Sequence, residues 1–326
     1  MMRDILFVGI LVWSLSCSQD TNPVSPIYDS DFAIYFLKDS SLRTGEVNQR
    51  PLAELELAVA PWLDLKDILF YDFSTHCIYL KNDKATLFEN YASGHFEPLL
   101  TDKPFVVVAG GSRCYLGSLH SGALSTRPPG PYIDELDVWY FPKDVLHISQ
   151  YRLSSEEVRS DARIRDTLIR SGLFHEGLSL ELNAVTVVIN ADTSTVQYRF
   201  TLKNNDRDPL YVIDSDRTGS ELFHYYTNGV VFSRENYPSI WSEYKTVTAP
   251  NPYDSWQPSW FTRLESNQSM QRTVTLRGYP RIPQDQYACR LTYSGPRRID
   301  RAQRNLVDSR YWIGDIESNT FVVVVN

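Results

Sequence analysis

The sequence is short of cysteine, of positive charge and of long apolar runs. Four cysteines in 326 residues are too few for a disulfide-dense scaffold. The 32 Lys and Arg are outnumbered by 40 Asp and Glu, which gives a formal net charge of -8 and a pI near 5.3. That balance excludes a dedicated nucleic-acid binder, whose domains carry a basic face. Beyond residue 17 no stretch is long and apolar enough to cross roughly 30 Å of hydrocarbon as a helix. With 42% hydrophobic and 22% charged residues the composition is that of a folded chain, so global disorder is excluded too.

The familiar catalytic signatures are also missing. The six histidines are scattered, with no i,i+4 pair and no HExxH. His76, beside Cys77, reads as structural. There is no GxSxG nucleophile elbow. The run Gly110-Gly111-Ser112-Arg113-Cys114 lacks the phosphate-loop lysine and joins strand to strand, so it reads as a hairpin turn. Asp214-Ser215-Asp216-Arg217-Thr218-Gly219 copies the first six positions of an EF-hand loop. Its twelfth position is Tyr225 instead of a bidentate Glu, and Arg217 adds positive charge, so a turn is expected there. No acidic pair stands out as glycosidase carboxylates. The expectation is no catalytic residue, no metal and no cofactor.

What is present begins at the N-terminus. Residues 1–17, MMRDILFVGILVWSLSC, hold an apolar run after Arg3 that suits the h-region of a signal peptide. Small residues lead into Cys17. Residues 1–16 resemble a bacterial lipoprotein signal peptide, in which the cysteine is lipidated and becomes the new N-terminus. The resemblance implies lipidation at Cys17, a polar tether over 17–30 and a membrane contact through the anchor. It also implies a cell-envelope location, with Ser18 pointing to the outer membrane. A multiply acylated cysteine meets the two-signal requirement for stable anchoring.

The remainder divides near residue 176. Residues 31–175 mix strand and helix patterns and read as an α+β domain. FAIYFL (32–37) and FVVVA (105–109) are strand-like, the latter bounded by Pro104 and Gly110-Gly111. Residues 52–60 are compatible with a helix. Residues 154–171 read as a helix, with Ser154 and Glu157 as a capping box, Gly172 as the stop, and a stripe through Val158, Ala162, Leu168 and Ile169. Residues 176–326 read as all-β, with VQYRFTL (196–202) alternating at period two. Further strands are expected at 273–276, 287–293 and 321–325.

Asp285-Gln286-Tyr287-Ala288-Cys289 is similar to the tyrosine corner of immunoglobulin-type sandwiches, with Tyr two residues before a cysteine. Residues 196–202 carry no cysteine, so the inter-sheet disulfide of antibody domains is excluded. The strand–NxxD–strand opening and the late Y-x-C strand resemble the BsuPI-type proteinase-inhibitor domain. The first half resembles a bacterial extracytoplasmic module through YDFSTHCIYL and PFVVVAGGSRCYLG.

Surface candidates remain. Residues 223–261 hold eleven aromatics, among them Trp241, Trp256 and Trp260. Exposed, these would stack on sugars or anchor a protein; buried, they form a satellite core. Arg297, Arg298, Arg301, Arg304 and Arg310 form a basic stretch that either contacts an anionic partner or is tied up in internal ion pairs. Cys77 and Cys114 either bridge neighbouring strands or stay as buried thiols. The expected role is non-enzymatic binding or structure in the envelope, through protein–protein contacts of the Ig-like half. Proteinase inhibition and a glycan-binding or glycan-active role are the alternatives.

Overall fold

The computed structural model describes residues 31–85, 87, 102–121, 128–134, 137, 141–150, 157–242, 256–299 and 309–326. The signal segment, Cys17, the tether, Ser154, Arg301 and Arg304 lie outside the described residues. The chain is β-rich and builds several sheets.

In the first half β1 (Phe32–Phe36) is buried at every position. Its two faces enter two different cores. Phe32 and Ile34 meet Phe105, Val107 and Leu168, while Ala33 and Tyr35 meet Val47, Leu55 and Val106. A strand covered on both sides has no need to alternate, which is why FAIYF is a continuous apolar run. α1 (Thr44–Val47) and a 3-10 turn at Leu52–Glu54 cover the second face. The helix-compatible stretch 52–60 therefore stops early, and Leu57 bridges to Leu37 instead.

The other strands of this half are β2 (Leu63–Asp64), β3 (Ile68–Asp72), β4 (Cys77–Leu80), β5 (Lys103–Ala109), β6 (Ser112–His120), β7 (Pro131–Asp134), β8 (Val145–His147) and β9 (Ser149–Gln150). β5 and β6 form the expected hairpin, closed by Gly110 and Gly111 at φ 56° and 73°. Those left-handed values suit glycine. α2 (Ala162–Arg170) and β10 (Phe174–His175) complete the half. One sheet runs β2-β1-β5-β6-β7-β9 and a second runs β10-β3-β4-β8.

The helix expected over 154–171 is shorter and capped differently. It begins at Ala162, with Asp161 accepting from the Arg163 amide at 2.8 Å. Glu157, the expected capping-box partner, is spent on Arg159, at 2.9 and 2.6 Å. The buried stripe is Ile164, Thr167 and Leu168, and Ile169 is 46% exposed. Gly172 ends the helix as expected, at φ 70°.

The second half begins with β11 (Leu178–Ile189) and β12 (Thr193–Asn204), followed by β13 (Leu210–Ile213). Two short helices come next, α3 (Ser215–Thr218) and α4 (Ser220–Thr227). They correct the all-β expectation for this half. β14 (Val230–Ser233), β15 (Phe261–Leu264), β16 (Ser269–Pro280), β17 (Asp285–Ser294), β18 (Arg310–Tyr311), β19 (Asp315–Glu317) and β20 (Phe321–Val325) follow. Three sheets result: β11-β12-β16, β15-β13-β18, and β14-β17 with β19 and β20. Along β12 the inward Val196, Tyr198, Phe200 and Leu202 are all fully buried, as period two requires. The buried Tyr287 donates its hydroxyl to the Pro283 carbonyl at 3.0 Å.

The two halves share β4. Its Ile78 and Leu80 enter the first-half core, whereas Cys77 and Tyr79 enter the core of the second half with Leu178, Leu210 and Trp312. Alternation along one short strand thus joins both cores.

Cys77, buried, and Cys114, partly buried, stand as free thiols. Cys77 lies in the four-stranded sheet and Cys114 in the six-stranded one. Burial raises the Cys114 thiol to about 11 and the Cys289 thiol to about 12, so both stay protonated and poorly nucleophilic. Alkylation in denaturant is expected to label Cys77, Cys114 and Cys289 equally with and without prior reduction. Labelling that needs a reductant, read by intact mass, would contradict this arrangement.

Candidate functional site

Two places in the fold concentrate chemistry. The first is a buried polar hub where the halves meet. β10 pairs in parallel with β3, placing His175 opposite Asp72. The turn after β12 supplies Asp206. Asn204, fully buried, donates to the carbonyls of Asp208, Leu264 and Glu265 and accepts from the Asp206 amide at 2.8 Å, which fixes that turn. β18 supplies Arg310, which lies 2.8 Å from Asp72 and 2.5 Å from Asp206. His175 Nδ1 is 3.0 Å from both Asp206 oxygens. Asp72 also accepts from the Ser74 amide and hydroxyl. Gly177 closes the hub. A Cβ there would stand 2.2 Å from Ser74 Oγ and 2.4 Å from Asp72 Oδ1.

Burial alone would push the Asp206 carboxyl up. The His175 hydrogen bond and the Arg310 charge outweigh it and hold the carboxyl well below the usual range. Burial likewise opposes the charge on Arg310, but Asp72, Tyr79 and Asp206 together raise its pKa further.

His175, Asp206 and Asp208 are close enough to share a metal ion, with ligand atoms within 4.8 Å of one another. The donor set does not suit one. Asp206 is already matched by Arg310, and the Arg207 guanidinium stands 3.5 Å from His175 Nε2. Arg310 already neutralises the Asp206 carboxylate. The EF-hand-like stretch repeats the pattern. Asp214 caps α3 through the Asp216 amide, and Arg272 of β16 meets both its oxygens at 2.7 Å. Burial works against ionisation of Asp214, yet the bonds from Arg272 and Thr262 keep its carboxyl below the usual range.

The second place is on the surface. β14 continues into a hairpin whose return limb is pinned by Phe232 and Ile240, which exchange both backbone hydrogen bonds at 2.8 Å. Phe232 is fully buried and Ile240 packs on the same core. Alternation turns their neighbours outward. Ser233 and Ser239 accordingly meet across the hairpin, their hydroxyls 3.0 Å apart. Trp241 is 55% exposed, and Tyr237 at the tip is 59% exposed. The Arg234 guanidinium lies over the Tyr237 ring at 3.6 Å and is held by Asp285 of β17 at 2.5 Å.

The three candidate tryptophans therefore divide. Trp241 faces solvent. Trp256 sets its ring edge-on to Tyr311 and Phe261, at 4.9 and 5.7 Å, and Trp260 packs near Tyr226 at 6.3 Å. These two are partly buried and pack against the core of the second half. Of the basic stretch, Arg297 pairs with Asp315 and Arg310 is the buried centre of the hub, so the internal-pair alternative holds for both. His76 is buried, with its Nδ1 3.1 Å from the Tyr71 hydroxyl.

Sequence reasoning does not single out Asp206, Arg234 or Tyr237, counts His175 only among the scattered histidines, and meets Asp285 only as part of the tyrosine-corner stretch. The hub draws on positions scattered along the chain and leaves no local signal. The hairpin tip did carry one, Asn236 ahead of Tyr237-Pro238, a turn signature between two strand-like limbs. No family model and no curated protein matches the chain.

Proposed function

We propose that the protein is a lipid-anchored cell-envelope protein, held by Cys17, that works by binding through the hairpin of residues 230–241. The anchor rests on the lipoprotein-like residues 1–17. The binding role rests on one observation above all: Tyr237 and Trp241 are both exposed on one hairpin, whose third aromatic, Phe232, is fully buried. Large rigid aromatic faces provide binding area at little entropic cost, and such residues dominate interfaces. In this reading the first half is the α+β domain and the second an Ig-like sandwich. The Tyr287-to-Pro283 hydrogen bond and the alternating β12 support the sandwich. The departure from the plain pattern is that β13 pairs with β15 and β18, with α3 and α4 inserted before β14.

Two measurements test this reading. Radiolabelled palmitate is expected to label the wild type in cells and not Cys17→Ser. A photo-cross-linking amino acid placed at Trp241 is expected to give a discrete adduct in the envelope, and the same probe at Val59, 99% exposed in the other half, is not. An unlabelled wild type removes the anchor. An adduct absent at 241, or identical at 59, removes the binding surface. A secreted protease in the adduct would select the inhibitor form of the proposal.

A further inference from the structure

We propose that the outer face of the β11-β12-β16 sheet docks on anionic lipid headgroups and lays that side of the protein on the membrane; this rests on the reading above that Cys17 tethers the chain there. The strand register builds the face. Opposite Thr195 of β12 stand Val188 of β11 and Arg277 of β16. Opposite Arg199 stand Ala184 and Thr273, and opposite Lys203 stand Ser179 and Ser269. The intervening Val196, Tyr198, Phe200 and Leu202 enter the core, so alternation turns the cations outward, and Arg199, Lys203 and Arg277 are exposed. Four residues of β12 separate Arg199 from Lys203, and four separate it from Thr195, the partner of Arg277, roughly 13 Å in each direction. The charges therefore spread along the whole length of the sheet.

These cations are available. None of the three makes an ion pair among the described residues, and neither does Glu181, the one carboxylate on the face. The charges at the two ends of the face are matched. Glu265 pairs with Arg263 at 3.2 Å, and Arg281 reaches the Ala191 carbonyl at 3.3 Å, next to Asp192. Three cations against one carboxylate thus stand on one side of a chain whose net charge is -8. An anionic surface repels the rest of the molecule and attracts this side.

The occupant follows from the composition of the face. It is an open sheet surface, which neither encloses a small molecule nor wraps a peptide. Between the cations stand hydroxyls and amides, Thr186, Gln197 and Thr275 in one row, Thr201 and Gln271 in another. The one exposed large apolar side chain there is Val188. A protein interface is built around an apolar or aromatic core, which this face does not have. A plane of phosphates needs only positive charge spread over area. The sheet holding β14, β17 and β20 closes the same core from the other side, so its outer face, with Trp241 and Val322, looks away from the docked membrane. Docking presents the binding hairpin to solution, whereas a lipid tether alone leaves the body free to turn.

The test uses the lipidated full chain on vesicles of phosphatidylcholine, alone or mixed with phosphatidylglycerol. A fluorescent amino acid at Thr275, on the proposed face, or at Val322, on the opposite one, reports energy transfer to headgroup-labelled lipid. With phosphatidylglycerol, transfer from position 275 is expected to exceed transfer from 322. High salt, which screens the attraction, and pure phosphatidylcholine, which lacks it, are expected to make the two equal. Arg199→Gln is expected to lower the ratio of oriented to freely turning protein about fivefold, the worth of one cation at an anionic surface. The triple variant Arg199→Gln, Lys203→Gln, Arg277→Gln is expected to abolish the bias at an unchanged melting temperature. Equal transfer from both positions with phosphatidylglycerol overturns the proposal, as does a bias that survives high salt or the triple variant. Polygalacturonate bound by a chain that shows no bias on vesicles also overturns it and gives the face to an acidic polymer. A chain that does not float with phosphatidylcholine has lost the anchor reading. Docking then stands if phosphatidylglycerol still floats the chain and falls if it does not.

Discussion

Arg310→Met is expected to cost roughly 3–5 kcal/mol, the penalty for breaking a buried ion pair from one side. For a chain of this size that lowers the melting temperature by on the order of 10 °C. The variant removes one cation from two carboxylates. Asp72 and Asp206 are 0% and 1% exposed, and without Arg310 their charges face each other across a desolvated space. Replacing an ion-pair network by apolar groups is cheap only when all its members go. Arg310→Met with Asp206→Asn should therefore recover part of the loss. Acid provides a second readout. The Asp206 carboxyl is depressed in the native protein, so its contribution is present above the unfolded value near 3.9 and is lost as pH falls through the native one. Without Arg310 that depression is weakened. The gap in denaturant midpoint between wild type and Arg310→Met is thus expected to keep its full width down to about pH 4 and to narrow as pH falls below that, toward the depressed native value. A gap that stays constant with pH would show that packing of the long side chain over Phe70, at 5.2 Å, sets the effect.

Trp312→Ala is expected to be comparably severe, about 3–5 kcal/mol from cavity formation. The side chain is fully buried and meets Tyr293 at 5.5 Å. Collapse into the space is hindered because Gly295 already approaches so closely that a Cβ on it would stand 2.4 Å from the Trp312 carbonyl oxygen. Trp312 also has a polar part. Its Nε1 donates to Ser74 Oγ at 3.2 Å, and Ser74 Oγ donates to Asp72 at 2.6 Å. Arg310 and Trp312 thus grip neighbouring residues at the end of β3, Asp72 and Ser74. Groups in one network do not add independently. The double variant is expected to lose less than the sum of the single losses, by a margin that equilibrium denaturation can resolve. Strict additivity would mean that the two contacts with the first half are separate.

What could be read from the sequence follows the range of the interactions. Strand Val196 to Leu202, the Gly110-Gly111 turn and the stop at Gly172 are set by side-chain alternation or by one residue's backbone freedom, and each is in place. The start of α2 was misread because its competition is local but concealed. Glu157 is taken by Arg159, and Asp161 is left to cap. The cation-like motif at Asp214 looked incomplete because half of its charge balance sits on Arg272, 58 residues later. The hub is more remote still, since Arg310 and Asp72 meet only after two sheets have packed. The aromatic hairpin was visible as composition. Which of its rings would face water depended on the Phe232–Ile240 register, which composition does not encode.

The division of β4 between two cores also has a mechanical meaning. A chain held near its N-terminus and pulled at the surface hairpin would carry the load from one half to the other. Among the described residues, the crossings on that path include the linker near residue 176, the Arg310 clamp, the Trp312–Ser74 bond and the four residues of Cys77–Leu80. Peeling the halves apart would strip Cys77 and Tyr79 from one core while Ile78 and Leu80 stay seated in the other. Extension should therefore produce one rupture event for the whole body, with no earlier release of either half.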